Sequence, residues 1–374
     1  MIYQGTNIDG PSLTPEQLNI RGRNLADLIK DCSYLEAVHH IITGKIPSKE
    51  ELQQLDHFCN QSLFAVANNA QAISLLNAQA VLSRDTVKTS IQGLLIGFEK
   101  EFEFLFSSTK TAYDKDTAYG IFLMSATSLF AYISLQETGA STPETDTSII
   151  DMDRPFIENV FVLFFGRSNA SKNEIILFES LLVAWHAGFG HLTPSVMGPR
   201  VAAGTFAPMN LILITGYTCS GPFHIGASQF ALDFLLKMSA NGYEHIEDTI
   251  QKRLDTNERI PGFGHPLFKK DPRNEVLQDI WNATTTDKKH INAYISICQK
   301  IKIEKEIHPN IDFITAGILC ELGVSQPTLA PSIALFSRTS AILAHAKEKK
   351  EKPPFGSKST DARKHLDQLS MEWI

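Results

Sequence analysis

The segment Arg259-Ile260-Pro261-Gly262-Phe263-Gly264-His265-Pro266-Leu267-Phe268-Lys269-Lys270-Asp271-Pro272-Arg273 decides how the rest of the chain is interpreted. Its three prolines and two glycines exclude a regular helix or a central strand and predict an ordered loop. Gly262 and Gly264 allow the backbone to turn sharply or to approach a ligand closely. His265, with cationic side chains just downstream, suits an anionic substrate whose carbonyl group needs a proton donor. A basic surface turn is the alternative that these residues leave open.

The composition of the 374-residue chain bounds its class. The length predicts a large domain and a smaller one, and hydrophobic residues, 43% of the total, suffice for a large core. The net charge of -7 gives no general attraction for nucleic acid or anionic membranes, so neither is an expected partner. The five cysteines form no C-x-x-C pair, which argues against a disulfide framework and a zinc site. No signal or transit peptide pattern is visible, and we expect a cytoplasmic protein.

Apolar residues recur at every third or fourth position through most of the chain, which predicts helix after helix and few strands. Gly44 is expected to end one short helix, and Ser48 with Glu51 forms a capping box that begins the next. A last helix is predicted over residues 332–346. These patterns favour an almost all-α fold.

Residues 201–232 contain no Asp, Glu, Lys or Arg. Such a stretch is long enough to span a membrane. Its prolines, glycines and polar residues break the stretch into pieces, however, and favour a buried helix of a large helical core. We expect that helix to end at a turn that carries His224.

Three ionisable residues stand at breaks between the predicted helices, where side chains from distant parts of the chain can meet in a cleft. His224 follows a Gly-Pro turn, His265 lies in the loop described above, and Asp312 stands at the start of an apolar helix. A lone histidine in an apolar stretch is more often a core residue, and a carboxylate at a helix start is ordinarily an N-cap. The functional interpretation of Asp312 is a general base, helped by partial burial.

The three residues lie in motifs that resemble those of the citrate synthase family. The family has Gly-Pro-x-His, Gly-[Phe/Tyr]-Gly-His and Asn-Val-Asp-Phe segments in this order. The chain has the matching segments in the same order: Gly221-Pro222-Phe223-His224, Gly262-Phe263-Gly264-His265 and Asn310-Ile311-Asp312-Phe313. The resemblance extends over residues 18–356. It implies an all-α fold in which residues 1–224 and 321–374 form a large helical domain, and residues 225–320 form a smaller domain over the active-site cleft. It also implies a homodimer.

The resemblance implies an acyltransferase that condenses an acyl-CoA, most simply acetyl-CoA, with a 2-oxo acid, most simply oxaloacetate, to give citrate and CoA. Asp312 would remove the methyl proton, His224 would stabilise the enolate oxygen, and His265 would polarise the ketone. Each unit of pKa mismatch between the methyl group and an aspartate costs about 1.4 kcal/mol, so a base alone does not suffice. No permanently bound cofactor and no metal are expected, because the CoA thioester is a co-substrate.

Residues for binding the acid also follow from the resemblance. Arg273 and Arg338 match two arginines that bind the dicarboxylate through their guanidinium forks. Lys352 matches a third arginine, which the family contributes across the dimer. A further substrate histidine is assigned to His191, with His186 as the alternative.

Residues for binding CoA lie in the loop quoted first. The resemblance assigns recognition of the adenine to the backbone of Pro261, Gly262, Phe263 and Gly264. Lys269 would face the phosphates of CoA. Ser195 matches the serine that orients the first catalytic histidine, His224.

Several residues depart from the family pattern. Ile225 and Ser228 replace a glycine and an asparagine that are common in the family, and Pro266 replaces an arginine that is common in bacterial members. Lys352 lacks the bidentate geometry of arginine, which weakens the case for the usual dicarboxylate. A 2-methylcitrate synthase, a citryl-CoA lyase and a CoA-binding protein without turnover are therefore alternatives.

Overall fold

Helices form almost all of the regular structure in the computed structural model, which describes residues 6–11, 17–71, 73–74, 98–135, 146–190, 193–266 and 268–352. Within these ranges the strands form one small antiparallel sheet of order β1-β2-β3. The all-α class is thus confirmed. The strands are β1 (Asp9–Pro11), β2 (Leu18–Ile20) and β3 (Arg23–Asn24). The helices are α1 (Leu25–Asp31), α2 (Tyr34–Thr43), α3 (Lys49–Ala67), α4 (Glu99–Ser108), α5 (Lys115–Leu135), α6 (Phe156–Phe165), α7 (Lys172–His186), α8 (Pro194–Gly204), α9 (Met209–Thr218), α10 (Ala227–Ser239), α11 (Ile246–Asp255), α12 (Pro272–Thr284), α13 (Lys289–Lys305), α14 (Ile311–Glu321) and α15 (Leu329–Lys350).

The local signals at helix ends act as the sequence predicts. Gly44 ends α2 in the left-handed region, at φ 82°. Ser48 and Glu51 form both hydrogen bonds of a capping box at the start of α3, and two further boxes begin α2 and α7. Each box satisfies N–H groups that have no partner within the helix.

Helix α15 is the core helix on which the others are arranged. Its residues are buried on all sides from the first turn to Ala346, and it packs against α5, α7 and α8. A helix that is buried all round belongs to the core of a large domain. The predicted range, residues 332–346, was too short at both ends. Pro331 is tolerated in the first turn, and Lys347 and Lys350 extend the last turn by pairing with carboxylates at the start of α5.

The uncharged stretch at residues 201–232 is divided among the end of α8, the whole of α9 and the start of α10. The expected buried helix is α9, most of whose residues are buried, and Pro208 separates it from α8. His224 does lie in the turn that follows. Within the described ranges no helix combines the length and the apolar character needed to cross a bilayer. The division into two domains stays a prediction.

Candidate active site

The loop at residues 259–266 is hydrogen-bonded to the segment that leads into α14. Gly264 N–H donates to the carbonyl oxygen of His308 at 2.9 Å, and Asn310 N–H donates to that of Gly262 at 2.9 Å. The Asn310 side chain donates to the Gly264 carbonyl at 2.8 Å. Since His265 follows Gly264 and Asp312 follows Asn310 by two residues, this pairing brings two of the three predicted catalytic residues onto adjoining segments.

Glycine is required at one position of this loop for a steric reason. Gly262 has φ +81°, and a Cβ atom there would lie 2.6–2.9 Å from Phe313, including its backbone nitrogen. Gly264 has nearly the same φ, +82°, but a Cβ atom there would meet nothing closer than 3.9 Å. The close approach of Gly262 to the first turn of α14 therefore depends on the missing side chain.

His265 is a neutral hydrogen-bond donor. The backbone N–H of Phe268 donates to its Nδ1 at 3.2 Å, so the proton of the neutral ring lies on Nε2. Burial, and then the charge of Arg273, lower the pKa of His265 to about 4, while Asp271 opposes the shift. At neutral pH the ring can donate from Nε2 to a carbonyl oxygen and then protonate it as charge develops.

Asp312 is a buried carboxyl group in the first turn of α14. Asn310 is the N-cap of this helix and accepts from the Asp312 N–H at 3.0 Å, so the N-cap interpretation of Asp312 is wrong. Its Oδ1 has no hydrogen-bond partner among the described residues. Burial raises the pKa of Asp312 to about 7, against the lowering effect of Arg273. A carboxylate with this pKa is a stronger base than an exposed aspartate.

His224 is oriented by Ser195. Its Nε2 lies 2.9 Å from Ser195 Oγ, in the first turn of α8. The turn that carries His224 is closed by hydrogen bonds from the N–H groups of His224 and Gly226 to the Gly221 carbonyl. Helix α10 begins directly after this turn and packs along α14, which carries Asp312. The predicted contact between Ser195 and His224 is thus present.

Arg273 and Arg338, the two arginines predicted to bind the acid, differ in whether their N–H groups have hydrogen-bond partners. Arg273 directs Nε and Nη2 to the carboxylate of Asp271, at 2.8 and 2.7 Å. Arg338 is 1% exposed, and its Nε and Nη1 have no partner among the described residues. Burial, and then the charge of Arg273, lower the pKa of Arg338 to about 9. Because an unpaired buried cation is costly, Arg338 is poised to bind an anion.

Phe189 is a site residue that the sequence interpretation missed. Its ring lies 4.4 Å from Cζ of Arg273, 5.5 Å from Cζ of Arg338 and 6.1 Å from the His265 ring. The predicted substrate histidine, His191, lies outside the described residues. The alternative, His186, is fully buried with Nδ1 bonded to the Val183 carbonyl, and burial lowers its pKa to about 4.

Asp9 in β1 holds the segment that carries Phe189. Its carboxylate accepts the backbone N–H groups of Gly188, Phe189 and Gly190, the last two at 3.1 and 2.8 Å. Burial alone raises the pKa of Asp9, but contacts with His345 and with these N–H groups outweigh it and lower the pKa to about 2. No sequence motif singled out Asp9, because its partners are distant in the chain.

The remaining predicted residues lie at the edges of this site. Lys269 is exposed just beyond the loop, whose Phe263 is buried against the Phe313 ring with centroids 4.6 Å apart. Pro261 is half-buried. Lys352 lies 3.8 Å from Glu348 in the same chain. The role of each stays a prediction.

Comparison with known proteins gives a consistent result. The family model described as citrate synthase, C-terminal domain, matches residues 1–355. A citrate/2-methylcitrate synthase of Bacillus subtilis strain 168 is 26% identical, covering 93% of this chain and 90% of its own length. A citrate synthase of Heyndrickxia coagulans is 27% identical, covering 94% and 91%. Among solved structures, the citrate synthase of Thermoplasma acidophilum in a ternary complex with carboxymethyl coenzyme A and oxaloacetate has a TM-score of 0.71 at 20% identity, covering 95% and 92%.

Proposed function

This chain belongs to the citrate synthase family, and we propose that it condenses an acyl-CoA with a 2-oxo acid, in the simplest case acetyl-CoA with oxaloacetate to give citrate and CoA. The observation that carries the proposal is the pairing of the residue 259–266 loop with the start of α14. This pairing joins the segment of a neutral imidazole that can donate a proton to the segment of a buried carboxyl group that can accept one.

Asp312 is the proposed base for the methyl proton of acetyl-CoA. The pKa of Asp312, about 7, is about three units closer to the pKa of the acetyl-CoA methyl group than that of an exposed aspartate. This difference lowers the cost of the proton transfer by about 4 kcal/mol. The remaining mismatch requires that the enolate oxygen be stabilised as it forms. We assign this to His224, whose ring Ser195 orients.

His265 is the proposed acid for the second substrate. Its Nε2–H polarises the ketone of the 2-oxo acid, the enolate carbon bonds to the ketone carbon, and the proton moves to the resulting alkoxide. Water then cleaves the thioester, which releases CoA. The low pKa of His265, about 4, keeps the ring from protonating at neutral pH before the acid binds.

Arg338 is the proposed ligand of the substrate carboxylate. Its Nε and Nη1 groups have no partner among the described residues and lie on different edges of the guanidinium, so each can donate to a carboxylate oxygen. Arg273 supports the same region as a cation but is already paired with Asp271. For CoA, we propose the backbone of Pro261, Gly262, Phe263 and Gly264 as the adenine site and Lys269 as a contact to phosphate.

A homodimer is proposed for the assembly. The packed helices α8 and α9 and the loop between them present apolar side chains to solvent, with Val201 59%, Phe206 52% and Leu211 45% exposed. Exposed apolar side chains on neighbouring elements are typical of a subunit interface. A second copy of this chain is the occupant that the family resemblance favours. The cytoplasmic location, the absence of a permanent cofactor and the reach of Lys352 across the dimer stay predictions.

The test is thiol release from acetyl-CoA in the presence of a panel of 2-oxo acids. We expect release that requires both substrates and that falls by about a thousandfold or more in Asp312→Asn. Asp279→Asn, an exposed aspartate on α12, is the matched control and should retain full activity. CoA binding without release for every acid would support the alternative of a binding protein without turnover.

A further inference from the structure

A row of buried polar side chains links helix α8 to the segment that carries Phe189. Arg200 in α8 is 7% exposed, and its Nη1 lies 2.7 Å from the carboxylate of Glu348 and 3.2 Å from Nδ1 of His345. The other ring nitrogen of His345, Nε2, lies 2.8 Å from the carboxylate of Asp9. We call Arg200, His345 and Asp9 the buried polar row.

The row has a single pattern of donors and acceptors. Because arginine can only donate, Nδ1 of His345 accepts from Arg200 and Nε2 carries the proton that His345 donates to Asp9. Glu348 accepts from Arg200 and, through its other oxygen, from the backbone N–H of Asn7 at 2.8 Å. A ring with its proton on Nδ1 would direct an N–H group at the guanidinium. Arg200 therefore selects the orientation and the tautomer of His345.

Asp9 connects the row to the backbone at residues 188–190. One carboxylate oxygen accepts from His345 and from the Gly190 N–H at 2.8 Å, and the other accepts from the N–H groups of Gly188 and Phe189. Phe189 has φ +60°, and bulky residues keep such a left-handed conformation only where the surrounding structure enforces it. A Cβ atom at Gly188 would lie 3.3 Å from His345 Nε2, so this segment and the row are closely packed.

The segment at residues 188–190 ends the row at the acid pocket. The Phe189 ring is centred 4.4 Å from Cζ of Arg273 and 5.5 Å from Cζ of Arg338, distances at which a ring face attracts a guanidinium. A shift of this backbone would move the ring against which both guanidinium groups lie. The loop assigned to CoA is held separately, by its hydrogen bonds to the segment before α14.

We propose that Arg200 and His345 are positioning residues for the acid pocket, and that they act through Asp9 to hold Phe189 against the guanidinium groups of Arg273 and Arg338. The proposal rests on the proposed condensation and adds residues that support its acid site. The alternative is a row that stabilises the fold and nothing more. A purely stabilising row would lower the free energy of unfolding when it is broken but leave the affinity for the acid unchanged.

Two substitutions of His345 form a matched pair. Glutamine has one donor and one acceptor and can serve both Asp9 and Arg200, whereas methionine fills similar space and can do neither. In thiol release from acetyl-CoA and oxaloacetate, we expect the KM for oxaloacetate to rise about tenfold in His345→Met and to stay within about twofold of the wild type in His345→Gln. The KM for acetyl-CoA should change by less than about twofold in both.

Arg200→Met breaks the same row from its other end and should resemble His345→Met, with the KM for oxaloacetate raised about tenfold. Arg23→Met removes an exposed arginine of β3 and is the control, with both KM values unchanged. An unchanged KM for oxaloacetate in Arg200→Met and His345→Met overturns the positioning role. Equal impairment of His345→Gln and His345→Met also overturns it, because packing alone would then account for the effect.

The tautomer of His345 tests the row in the wild type, without reliance on the folding of the methionine variants. Nitrogen NMR of protein labelled at histidine distinguishes the two neutral tautomers, and the signal that is missing from His345→Gln identifies the ring. We expect a ring protonated on Nε2 and unprotonated on Nδ1 at neutral pH. A proton on Nδ1 overturns the proposal, since Arg200 could not then donate to it.

The outcomes also separate this proposal from the proposed function. Absence of thiol release from the wild type contradicts the condensation, and acid binding is then followed by the rise in melting temperature with added oxaloacetate. The half-saturating concentration should still be about tenfold higher in His345→Met than in His345→Gln. A wild type that oxaloacetate does not stabilise overturns both proposals.

Discussion

His345 in α15 donates its Nε2–H to the carboxylate of Asp9 in β1 at 2.8 Å, with both side chains fully buried. Arg200 lies with Nη1 3.2 Å from His345 Nδ1, and since arginine can only donate, Nδ1 accepts and the ring proton lies on Nε2. The same Asp9 carboxylate holds the backbone at residues 188–190. The core helix is thereby connected to the segment that presents Phe189.

Asp9→Asn should destabilise the fold and misplace Phe189. The amide keeps one acceptor oxygen but turns an NH₂ group toward N–H donors, so we expect the free energy of unfolding to fall by about 2–4 kcal/mol. Denaturant unfolding measures this. Asp279→Asn, at an exposed position, is the control and should unfold like the wild type.

The stabilising effect of Asp9 should depend on pH in a defined range. Its folded pKa, about 2, is below the ordinary aspartate value of 3.8, so its contribution is complete above about pH 4 and is lost as the pH falls toward 2. The difference in unfolding free energy between the wild type and Asp9→Asn should shrink over that range. A difference that is constant from pH 5 to about 2 would contradict the assignment.

The activity should rise with pH as Asp312 ionises. Because its pKa is raised to about 7, kcat/KM of the wild type should increase up to about that pH and then level off. A profile that is already flat at pH 5 would show that the base has an ordinary aspartate pKa.

Asp312 should also lower the stability of the fold as the pH rises from about 4 to about 7. The folded pKa of Asp312 is higher than the unfolded value of 3.8, so ionisation opposes folding as the pH rises from about 4 to about 7. Asp312→Asn removes this opposition. We expect its stability relative to the wild type to increase by up to about 4 kcal/mol between pH 4 and pH 8, measured by denaturant unfolding.

Two glycines in the residue 259–266 loop provide a matched pair of variants. Gly262→Ala and Gly264→Ala both place a Cβ atom on a backbone with φ near +80°, but only the first meets Phe313 at 2.6–2.9 Å. We expect Gly264→Ala to cost about 1 kcal/mol of stability and Gly262→Ala about 2–4 kcal/mol, with a larger loss of kcat. Equal effects would mean that the contact with α14 does not position His265.

Arg338→Met should abolish acid binding and stabilise the protein without ligand. Methionine fills similar space and removes a buried cation that has no partner among the described residues, so the melting temperature should rise. The wild type should be stabilised by added 2-oxo acid, and the variant should not. A variant that melts lower than the wild type and still responds to the acid would contradict the role of Arg338.

Local signals allowed much of the helical fold to be predicted, and long-range contacts explain what was missed. Gly44 and the Ser48–Glu51 box act within a few residues, so the sequence alone predicts them. The extent of α15 depends on ion pairs to α5, more than 230 residues away in the chain, which no window of sequence contains. An N-cap role for Asp312 was one alternative. The structure assigns the cap to Asn310, two residues earlier, and the sequence does not decide between them because Asn and Asp are equally good caps.

In the candidate site, too, local motifs were predicted and long-range contacts were not. Motif order predicts that His224, His265 and Asp312 belong together, and the contact of Ser195 with His224 follows from the family resemblance. The sequence does not single out Phe189, because an aromatic residue between two glycines has no titratable group and belongs to none of the motifs. Its importance depends on two arginines that lie 84 and more residues further along the chain.

The central claim is that Asp312 and His224 act on the thioester while His265 acts on the 2-oxo acid. The most direct measurement is exchange of the methyl protons of acetyl-CoA with D₂O, followed by mass spectrometry, with a 2-hydroxy acid in place of the 2-oxo acid so that condensation cannot occur. We predict exchange by the wild type and by His265→Gln, and none by Asp312→Asn. Exchange that persists in Asp312→Asn and disappears in His265→Gln would contradict the account.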